Sequence, residues 1–335
     1  MVDLIATDEQ QQITASVADF LSAEMPLARL TSRRDDPDAD YRLFPRMAAL
    51  GWFGLGLPEA DGGLGLSAIE EASLFRELGR VLAPPAVLAT CLAAELAARE
   101  GQADLAAQFI AGQAIAALTL PAGPRRLVLE GRAATHLLFL SEDQCSLVET
   151  GAAGPLTPGR SADDALALDT LEGVPTGSGV SGDAAARIWS RAKLLSAAML
   201  AGVCEAARDA ASEYAKVRKQ FDQPIGVFQA VKHKCSDMAI RAEAVNAQLA
   251  FASICLRDAR PDTAFQVNAA KLLAGQYALL SAKEAIQVHG AIGFTTELPL
   301  HLLLKRAHVL DQCLGGTRGA QVALLDEPAP QVGSR

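Results

Sequence analysis

The sequence predicts a mainly α-helical protein with a small β domain in the middle of the chain. Apolar residues make up 50% of its 335 residues but aromatic residues only 5%, and chains rich in alanine and leucine favour close-packed helices over a sheet sandwich or barrel. Towards both ends of the chain, apolar residues recur every three or four positions, as in helices that bury one face. Between about residues 115 and 185, short apolar runs are separated by Gly, Pro and Asp, as strands are separated by turns.

Helical spacing covers most of the first 112 residues. The first helix follows the capping candidates Thr7 and Asp8, whose side chains accept hydrogen bonds from the free N–H groups of a first helical turn. The predicted helices cover residues 8–24, 41–50 and 69–82, and alanine-rich helices continue to about residue 111. We therefore predict an N-terminal helical domain over residues 1–112.

The middle region consists of strand-like runs. These runs are AIAALTL, RLVLEG, HLLFL and CSLVET, each bounded by turn-forming residues. They predict a reduced β domain over residues 113–185.

The last third of the chain returns to long helices. One apolar stripe continues without a break through Phe228, Val231, Cys235, Met238, Ala242, Val245 and Leu249. Its predicted partner helices cover residues 187–217, 263–289 and 299–313. Four such helices joined by short loops favour an antiparallel bundle. We place this C-terminal four-helix bundle at residues 186–326 and a tail at residues 327–335.

Charge and cysteine spacing argue against several classes of function. The net charge of -9 disfavours nucleic-acid and anionic-membrane partners, since phosphate contacts need clustered Lys and Arg. No apolar run approaches the roughly 18 residues of a membrane span, and the first residues, MVDLIATDEQQQ, lack the pattern of a secretory signal, so we expect a cytoplasmic protein. The six cysteines form no CxxC pair or Cys/His cluster, so no metal site or disulfide framework is expected.

The segment VRKQFDQPIGVFQ, residues 217–229, has the pattern of a helix end, a Pro-Gly loop and the start of another helix. Arg218 and Gln229 flank this loop, where a guanidinium and an amide can meet a phosphate near a helix start. The alternative is that Arg218 pairs with a carboxylate and Gln229 caps the helix. The local sequence leaves both interpretations open.

Three segments together extend this interpretation: GWFGLGLPEADGGLGLS (51–67), RKQFDQPIGVFQAVKHKCSDMA (218–239) and QVHGAIGFTTELPL (287–300). They occur in the order and approximate spacing of the acyl-CoA dehydrogenase family, which the chain resembles over nearly its whole length. The resemblance implies that family's fold, with an N-terminal helical domain, a middle β domain and a C-terminal four-helix bundle.

In that family, the second and third segments reach across a dimer interface to the diphosphate and adenosine end of the partner's FAD. The resemblance assigns these cofactor-binding roles to Arg218, Phe221, Gln229, Gln287 and Gly290. A guanidinium suits a diphosphate, and a glycine lets the backbone approach closely. Two positions depart from the family pattern, because Asp222 stands where glycine is usual and Ala291 replaces the second glycine of a pair.

The resemblance also implies that a catalytic base is missing. The family's reaction removes a proton from the α-carbon of an acyl thioester and a hydride from the β-carbon, and it needs a carboxylate close to the α-carbon. When KRAHVLDQCLGGT is aligned on Arg306 and Gly316-Thr317, the usual glutamate position falls on Gly315, or on Leu314 with a one-residue slip. Some members carry the glutamate at a second position, on the first bundle helix, and this position aligns with Ala192. Neither position carries an ionisable residue, so no catalytic residue is assigned.

The β domain is also shorter than the family's. After AIAALTL the chain continues as PAGPRRLVLEG, without the acid-serine pattern that holds the flavin ring, and Trp52 and Trp189 lie outside a strand context. The chain is therefore similar to the non-catalytic subunit of α2β2 acyl-CoA dehydrogenases that act on steroid side-chain CoA thioesters. This implies FAD shared with a catalytic partner subunit, and an acyl-CoA substrate.

Two alternatives stay open. The first is a self-sufficient, homomeric flavoenzyme with a base at Glu213, Glu243 or Glu284, although each of these acids fits a solvated helix face. The second is a flavin-free binding or assembly protein, or a lyase, on the same scaffold.

Overall fold

The computed structural model describes residues 5–31, 36–175 and 177–327. The predicted tail at 327–335 therefore lies almost entirely outside the described residues. The main helices are α1 (Asp8–Glu24), α2 (Phe44–Ala49), α3 (Ala68–Arg80), α4 (Ala86–Arg99), α5 (Ala103–Ile110), α6 (Thr150–Ala153), α7 (Asp183–Val217), α8 (Gln229–Arg257), α9 (Thr263–His289), α10 (Leu300–Gln312) and α11 (Gly316–Asp326). The strands are β1 (Ala116–Ala122), β2 (Arg125–Leu129), β3 (His136–Leu140), β4 (Gln144–Glu149), β5 (Thr157–Pro158), β6 (Leu168–Glu172), β7 (Ser178–Ser181), β8 (Lys219–Gln220) and β9 (Gln223–Pro224).

The predicted fold class, mainly α with a small β region, is confirmed. Helix α1 begins after Thr7, whose side chain accepts a hydrogen bond from the Gln10 N–H while the Gln10 side chain bonds back to Thr7 N–H. This reciprocal pair of bonds satisfies two donors that a helix start leaves free. The long helices α7, α8 and α9 and helix α10 cover the segments predicted for the C-terminal bundle.

Contacts divide the chain into two compact units rather than following the three predicted domains in order. The helical unit contains the described residues of Met1–Arg34, Ala72–Leu82 and Leu194–Arg335, and the sheet unit those of Asp35–Glu71 and Ala83–Lys193. The division at residues 112, 185 and 326 stays a prediction about the order of segments along the chain.

The sheet unit is built around one mixed seven-stranded sheet. The strand order is β5-β6-β2-β1-β3-β4-β7, with β1 and β3 parallel and the other neighbours antiparallel. Val128, Leu137 and Leu171 belong to a buried apolar cluster of this sheet. Helix α4 is buried along most of its length, and Thr90 Oγ1 accepts a hydrogen bond of 3.1 Å from the N–H of Ala116 at the start of β1.

A buried ion cluster also holds the sheet unit together. Arg191 of α7 donates to both oxygens of Glu71, including a 3.0 Å bond from Nε, and its Nη1 lies 2.6 Å from Glu95 Oε2. All three side chains are largely buried. Two carboxylates around one guanidinium keep the pKa of Arg191 above its ordinary value even though burial acts in the opposite direction. Breaking such a cluster leaves uncompensated buried charge.

Helices α3 and α7 cross at a pair of glycines in the helical unit. A Cβ on Gly202 would lie 1.9 Å from the backbone oxygen of Arg76, and a Cβ on Gly79 would lie 2.0 Å from that of Met199. The two backbones are therefore in direct contact. Beside the crossing, Arg80 bridges Glu205 and Asp209, both at 2.8 Å.

Candidate functional site

The segment after α7 forms a tight hairpin that presents two of the predicted residues. The N–H of Arg218 donates to Tyr214 O at 2.9 Å, and the N–H of Ile225 donates to Arg218 O at 2.8 Å. Strands β8 and β9 pair across a two-residue turn formed by Phe221 and Asp222. The Phe221 side chain is 85% exposed at the tip, with its ring edge-on to Phe228 at a centroid distance of 6.0 Å.

The turn geometry explains one departure from the family pattern. Phe221 and Asp222 have φ values of 53° and 62°, as in the type I′ turns that fit two-residue hairpins. Glycine suits the second turn position, and aspartate is among the side chains that tolerate positive φ. Asp222 therefore keeps the turn at little conformational cost.

Gln229 and Gln287 lie at the same end of the α8–α9 pair. The two helices are antiparallel, since Gln248 of α8 contacts Gln266 near the start of α9 while Lys234 and Arg241 both reach Glu284 near its end. Gln229 begins α8, and Gln287 is in the last turn of α9. The hairpin that follows α7 leads directly into α8, so it lies at this same end.

The polar side chains of Arg218, Gln229 and Gln287 have no partner in the part of the chain that the structure describes. Arg218, Gln229 and Gln287 are exposed, and among the described residues none of the three makes a side-chain hydrogen bond or ion pair. Phe228 is the N-cap residue of α8 and makes no side-chain cap bond. The structure thus supports neither the Arg218–carboxylate pair nor the Gln229 cap that the local sequence left open. A guanidinium and two amides remain available to an external ligand.

Two lysines extend the group and were not singled out from the sequence. Lys232 follows Gln229 by three positions and Lys283 precedes Gln287 by four, so each shares a helix face with its glutamine. Both are exposed, and in the part of the chain that the structure describes neither has a carboxylate within ion-pair distance. The helical spacing was the available signal. These lysines give the group a local positive charge in a chain of net charge -9, which suits an anion.

Gly290 ends α9 in a backbone conformation that requires glycine. Its φ of 68° and ψ of -144° lie in a region that side chains other than hydrogen rarely allow. A Cβ there would meet nothing within 4 Å, so the backbone is open on that side. Ala291 is not among the positive-φ residues, which explains why alanine is accepted at the second position of the usual glycine pair.

Gly315 and Ala192, which the sequence resemblance aligns with the family's base positions, carry no carboxylate. Gly315 is exposed, with φ 96° and open space around its Cβ position, and the preceding Leu314 is also left-handed at φ 60°. In α7, Ala192 is fully buried. Gly315 therefore has a conformational role in the turn, whatever residue other family members carry there.

Asp311, the acid closest in sequence to Gly315, is committed to the packing of the helical unit. Its carboxylate accepts a 2.5 Å hydrogen bond from Thr317 Oγ1 and lies where Gly275 of α9 leaves room for it. The fully buried Lys271 donates to Leu310 O at 2.7 Å and Ser196 Oγ at 3.2 Å, which holds the end of α10. This network fixes the chain on both sides of the Gly315 turn.

Of the three acids of the self-sufficient alternative, two are exposed and the third is held in an ion pair. Glu213 pairs with Lys216 at 2.6 Å and is 70% exposed. Glu284 pairs with Arg241 at 2.8 Å, and Glu243 is exposed on α8. Glu284 is partly buried, with 23% of its side chain exposed, and its carboxylate is engaged by Arg241.

Family models match most of the chain. The model described as "Acyl-CoA dehydrogenase, C-terminal domain" matches residues 184–327, and "Acyl-CoA dehydrogenase, N-terminal domain" matches residues 7–114. The acyl-CoA dehydrogenase IpdE2 of Mycobacterium tuberculosis is 31% identical over 315 residues, 93% of this chain and 94% of IpdE2. This chain belongs to the acyl-CoA dehydrogenase family. The sequence resemblance to this family is thereby confirmed.

Other relatives agree in family but differ in length. The acyl-CoA dehydrogenase FadE34 of Mycobacterium tuberculosis is 33% identical over 300 residues, and the aligned region covers 84% of this chain but 41% of FadE34. The chain thus spans less than half of that relative and nearly all of IpdE2.

Solved structures share the fold. A variant of the Tcur3481–Tcur3483 steroid ACAD superposes with a TM-score of 0.84 at 24% identity, covering 95% of this chain and 97% of that one. The ChsE4–ChsE5 complex of Mycobacterium tuberculosis gives 0.82 at 23% identity, with 98% and 100% covered. The FAD complex of PigA gives 0.80 at 19% identity, with 97% and 98% covered. At these identities the likeness establishes the fold.

The group at the end of the helical unit fits one end of a dinucleotide cofactor. Free guanidinium and ammonium groups suit a diphosphate, the two amides suit ribose or adenine edges, and the exposed Phe221 offers an aromatic surface. Gly290 leaves the backbone accessible. Among the described residues, no cluster of three or more His, Cys, Asp or Glu side chains is arranged to hold a metal ion, and no helix is both long and apolar enough to cross a bilayer.

Proposed function

We propose that this chain is a subunit of a heteromeric, FAD-dependent acyl-CoA dehydrogenase. It holds the diphosphate and adenosine end of a FAD whose reactive ring lies in a catalytic partner subunit. The observation that carries the proposal is a contrast between two regions of the chain. Arg218, Gln229 and Gln287 are exposed at one end of the helical unit and have no side-chain partner among the described residues, whereas Gly315 and Ala192, at the positions that the resemblance aligns with the family's base, carry no acid.

Each residue of the site makes a different contact with FAD in this proposal. Arg218 neutralises the diphosphate with charge-assisted hydrogen bonds, and Lys232 and Lys283 add to the local positive potential. Gln229 and Gln287 orient the adenosine part, while Phe221 and Gly290 supply an aromatic surface and an accessible backbone. When bound, FAD supplies the hydride acceptor for α,β-desaturation of the acyl thioester. The base that removes the α-proton comes from the partner subunit.

The substrate class is an acyl-CoA thioester, and a steroid side-chain thioester is the form we favour. The similarity to a protein described as a steroid ACAD supports the substrate, and the similarity to the ChsE4–ChsE5 complex supports an assembly of two different chains. A heteromer has a physical advantage for a bulky polycyclic acyl group. If one of two equivalent active sites is lost, the volume it occupied becomes available to the polycyclic acyl group bound in the remaining active site.

The test is FAD retention by the assembled enzyme. The chain is isolated with the dehydrogenase subunit that co-purifies from the native source, and FAD is titrated into the flavin-depleted complex. Arg218→Ala is expected to raise the Kd of FAD by about tenfold to a hundredfold, because it removes a charged hydrogen-bond donor. Arg257→Ala, which removes the same charge from the exposed far end of α8, is the matched control and is expected to leave the Kd within twofold.

Two results would refute the proposal. One is an unchanged Kd for FAD in the Arg218→Ala complex. The other is a homogeneous preparation of this chain alone that carries one FAD per chain and oxidises an acyl-CoA.

A further inference from the structure

An aromatic stack joins the two halves of the proposed cofactor-binding group. The rings of Tyr214 and His289 lie 4.1 Å apart between centroids, with an interplanar angle of 21°. Tyr214 is one helical turn before Arg218, and its carbonyl accepts the Arg218 N–H. His289 lies between Gln287 and Gly290 in the sequence. The stack therefore connects the end of α7 with the end of α9 at the point where the group is formed.

The histidine ring is fixed by a second contact. His289 Nδ1 lies 2.8 Å from Ala285 O, and since a carbonyl only accepts, Nδ1 carries the hydrogen. Burial lowers the pKa of His289 below its ordinary value, so the ring is neutral near pH 7. A neutral ring, held by a hydrogen bond on one edge and a stack on one face, has little freedom to rotate. The backbone of His289 and Gly290 is held with it.

Further into the helices, α7 and α9 are already in contact. Cys204 Sγ lies 3.3 Å from Ser281 Oγ, ten residues before Tyr214 and about 15 Å away along α7. The Tyr214–His289 stack extends this contact to the last turns of both helices. The side chains that would meet a ligand have no partner of their own within the described protein, so their positions depend on the backbones that carry them.

We propose that Tyr214 and His289 are positioning residues, whose stack sets the spacing between Arg218 and the Gln287–Gly290 turn that a diphosphate and adenosine require. This inference rests on the proposed function and adds two residues to it. Neither residue needs to touch the cofactor. Their effect is to keep the binding group in place before the ligand arrives, which reduces the ordering cost of binding.

The experiment measures ADP binding to the flavin-depleted complex by calorimetry, together with urea unfolding. ADP is the probe because it carries the diphosphate and adenosine alone. Tyr214→Leu removes the ring but keeps an apolar side chain, and it is expected to raise the Kd of ADP by about threefold to tenfold, the equivalent of one aromatic pair. Tyr214→Phe keeps the stack and is expected to stay within twofold of wild type. In an Arg218→Ala background, Tyr214→Leu is expected to have a smaller effect, since the two residues act together.

The outcomes separate this inference from the proposed function. If Arg218→Ala weakens ADP binding while Tyr214→Leu changes only the unfolding transition, the positioning role is wrong and the proposed function stands. A Tyr214→Phe variant as weak as Tyr214→Leu would also overturn the positioning role, because the ring would then not be the cause. If Arg218→Ala leaves ADP affinity unchanged, the proposed function fails and this inference fails with it.

Discussion

The crossing of α3 and α7 gives a prediction whose size follows from the structure. Gly202→Ala adds one Cβ, which would lie 1.9 Å from Arg76 O, 2.7 Å from Arg80 N and 2.9 Å from Gly79 C. All three are backbone atoms, so no side chain can rotate away. Since ordinary van der Waals contact begins at 3.4 Å, relief requires the helices to separate locally by about 1.5 Å.

The Gly202→Ala substitution has two opposing effects on the free energy of unfolding. Overpacking of a well-packed interior costs about 1–3 kcal/mol and more when the backbone must move, and a gap of this size also removes much of the dispersion energy along the crossing. In the opposite direction, alanine has a higher helix propensity than glycine, and this stabilises the folded protein by about 1 kcal/mol. We expect a net loss of about 2–3 kcal/mol in the free energy of unfolding.

The assay is urea denaturation followed by circular dichroism. Gly319→Ala is the matched control, because Gly319 is also helical but a Cβ there meets nothing within 4 Å. It is expected to be neutral or to stabilise by up to about 1 kcal/mol. A Gly202→Ala protein within about 0.5 kcal/mol of wild type would show that the helices are not held in backbone contact, and the reasoning would be wrong.

Two further predictions concern buried charge and buried thiols. Arg191→Met leaves Glu71 buried without a counter-charge and leaves Glu95 with Arg99 as its remaining ion-pair partner, and we expect a loss of about 3–5 kcal/mol in urea denaturation; a loss below about 1 kcal/mol would contradict this. Cys235 is half-buried and the other five cysteines are buried. Burial raises the pKa of Cys235 as well as that of Cys313, the latter to about 11, so it is the accessibility of its sulfur that distinguishes Cys235. We therefore expect one thiol per chain to react rapidly with a disulfide reagent at pH 8 and the rest only on unfolding; in Cys235→Ser the rapid phase should disappear, and its persistence would refute the assignment.

The sequence predicted the helices well because their signals are local. A cap at Thr7, a break at the proline pair and an apolar stripe along α8 each depend on residues within a few positions of one another. The four main strands were predicted for the same reason. Strands β5, β6 and β7 were missed, since they are short or partly exposed at the sides of the sheet and carry no apolar alternation. Their pairing with distant strands defines them.

The candidate site was predicted in part. The three family segments assigned cofactor-binding roles to Arg218, Phe221, Gln229, Gln287 and Gly290; these residues lie at one end of the helical unit, and their roles stay a prediction. The segments did not show that the polar side chains are free, nor that Lys232 and Lys283 lie beside them. Helical spacing alone could have identified the lysines, but exposure and the absence of a counter-ion among the described residues require coordinates.

By itself, the sequence predicted the family and the helical character, and both are confirmed; the missing base at Gly315 and Ala192 stays a prediction. These depend on residue identity and short-range order, which a linear pattern records. Only the tertiary structure showed that Asp222 lies in a turn of left-handed backbone conformation. It also showed that the Asp311 carboxylate accepts a hydrogen bond from Thr317 and that the Tyr214 ring stacks on His289. Each depends on which distant backbones come within a few ångströms of each other, and close packing sets that distance in three dimensions.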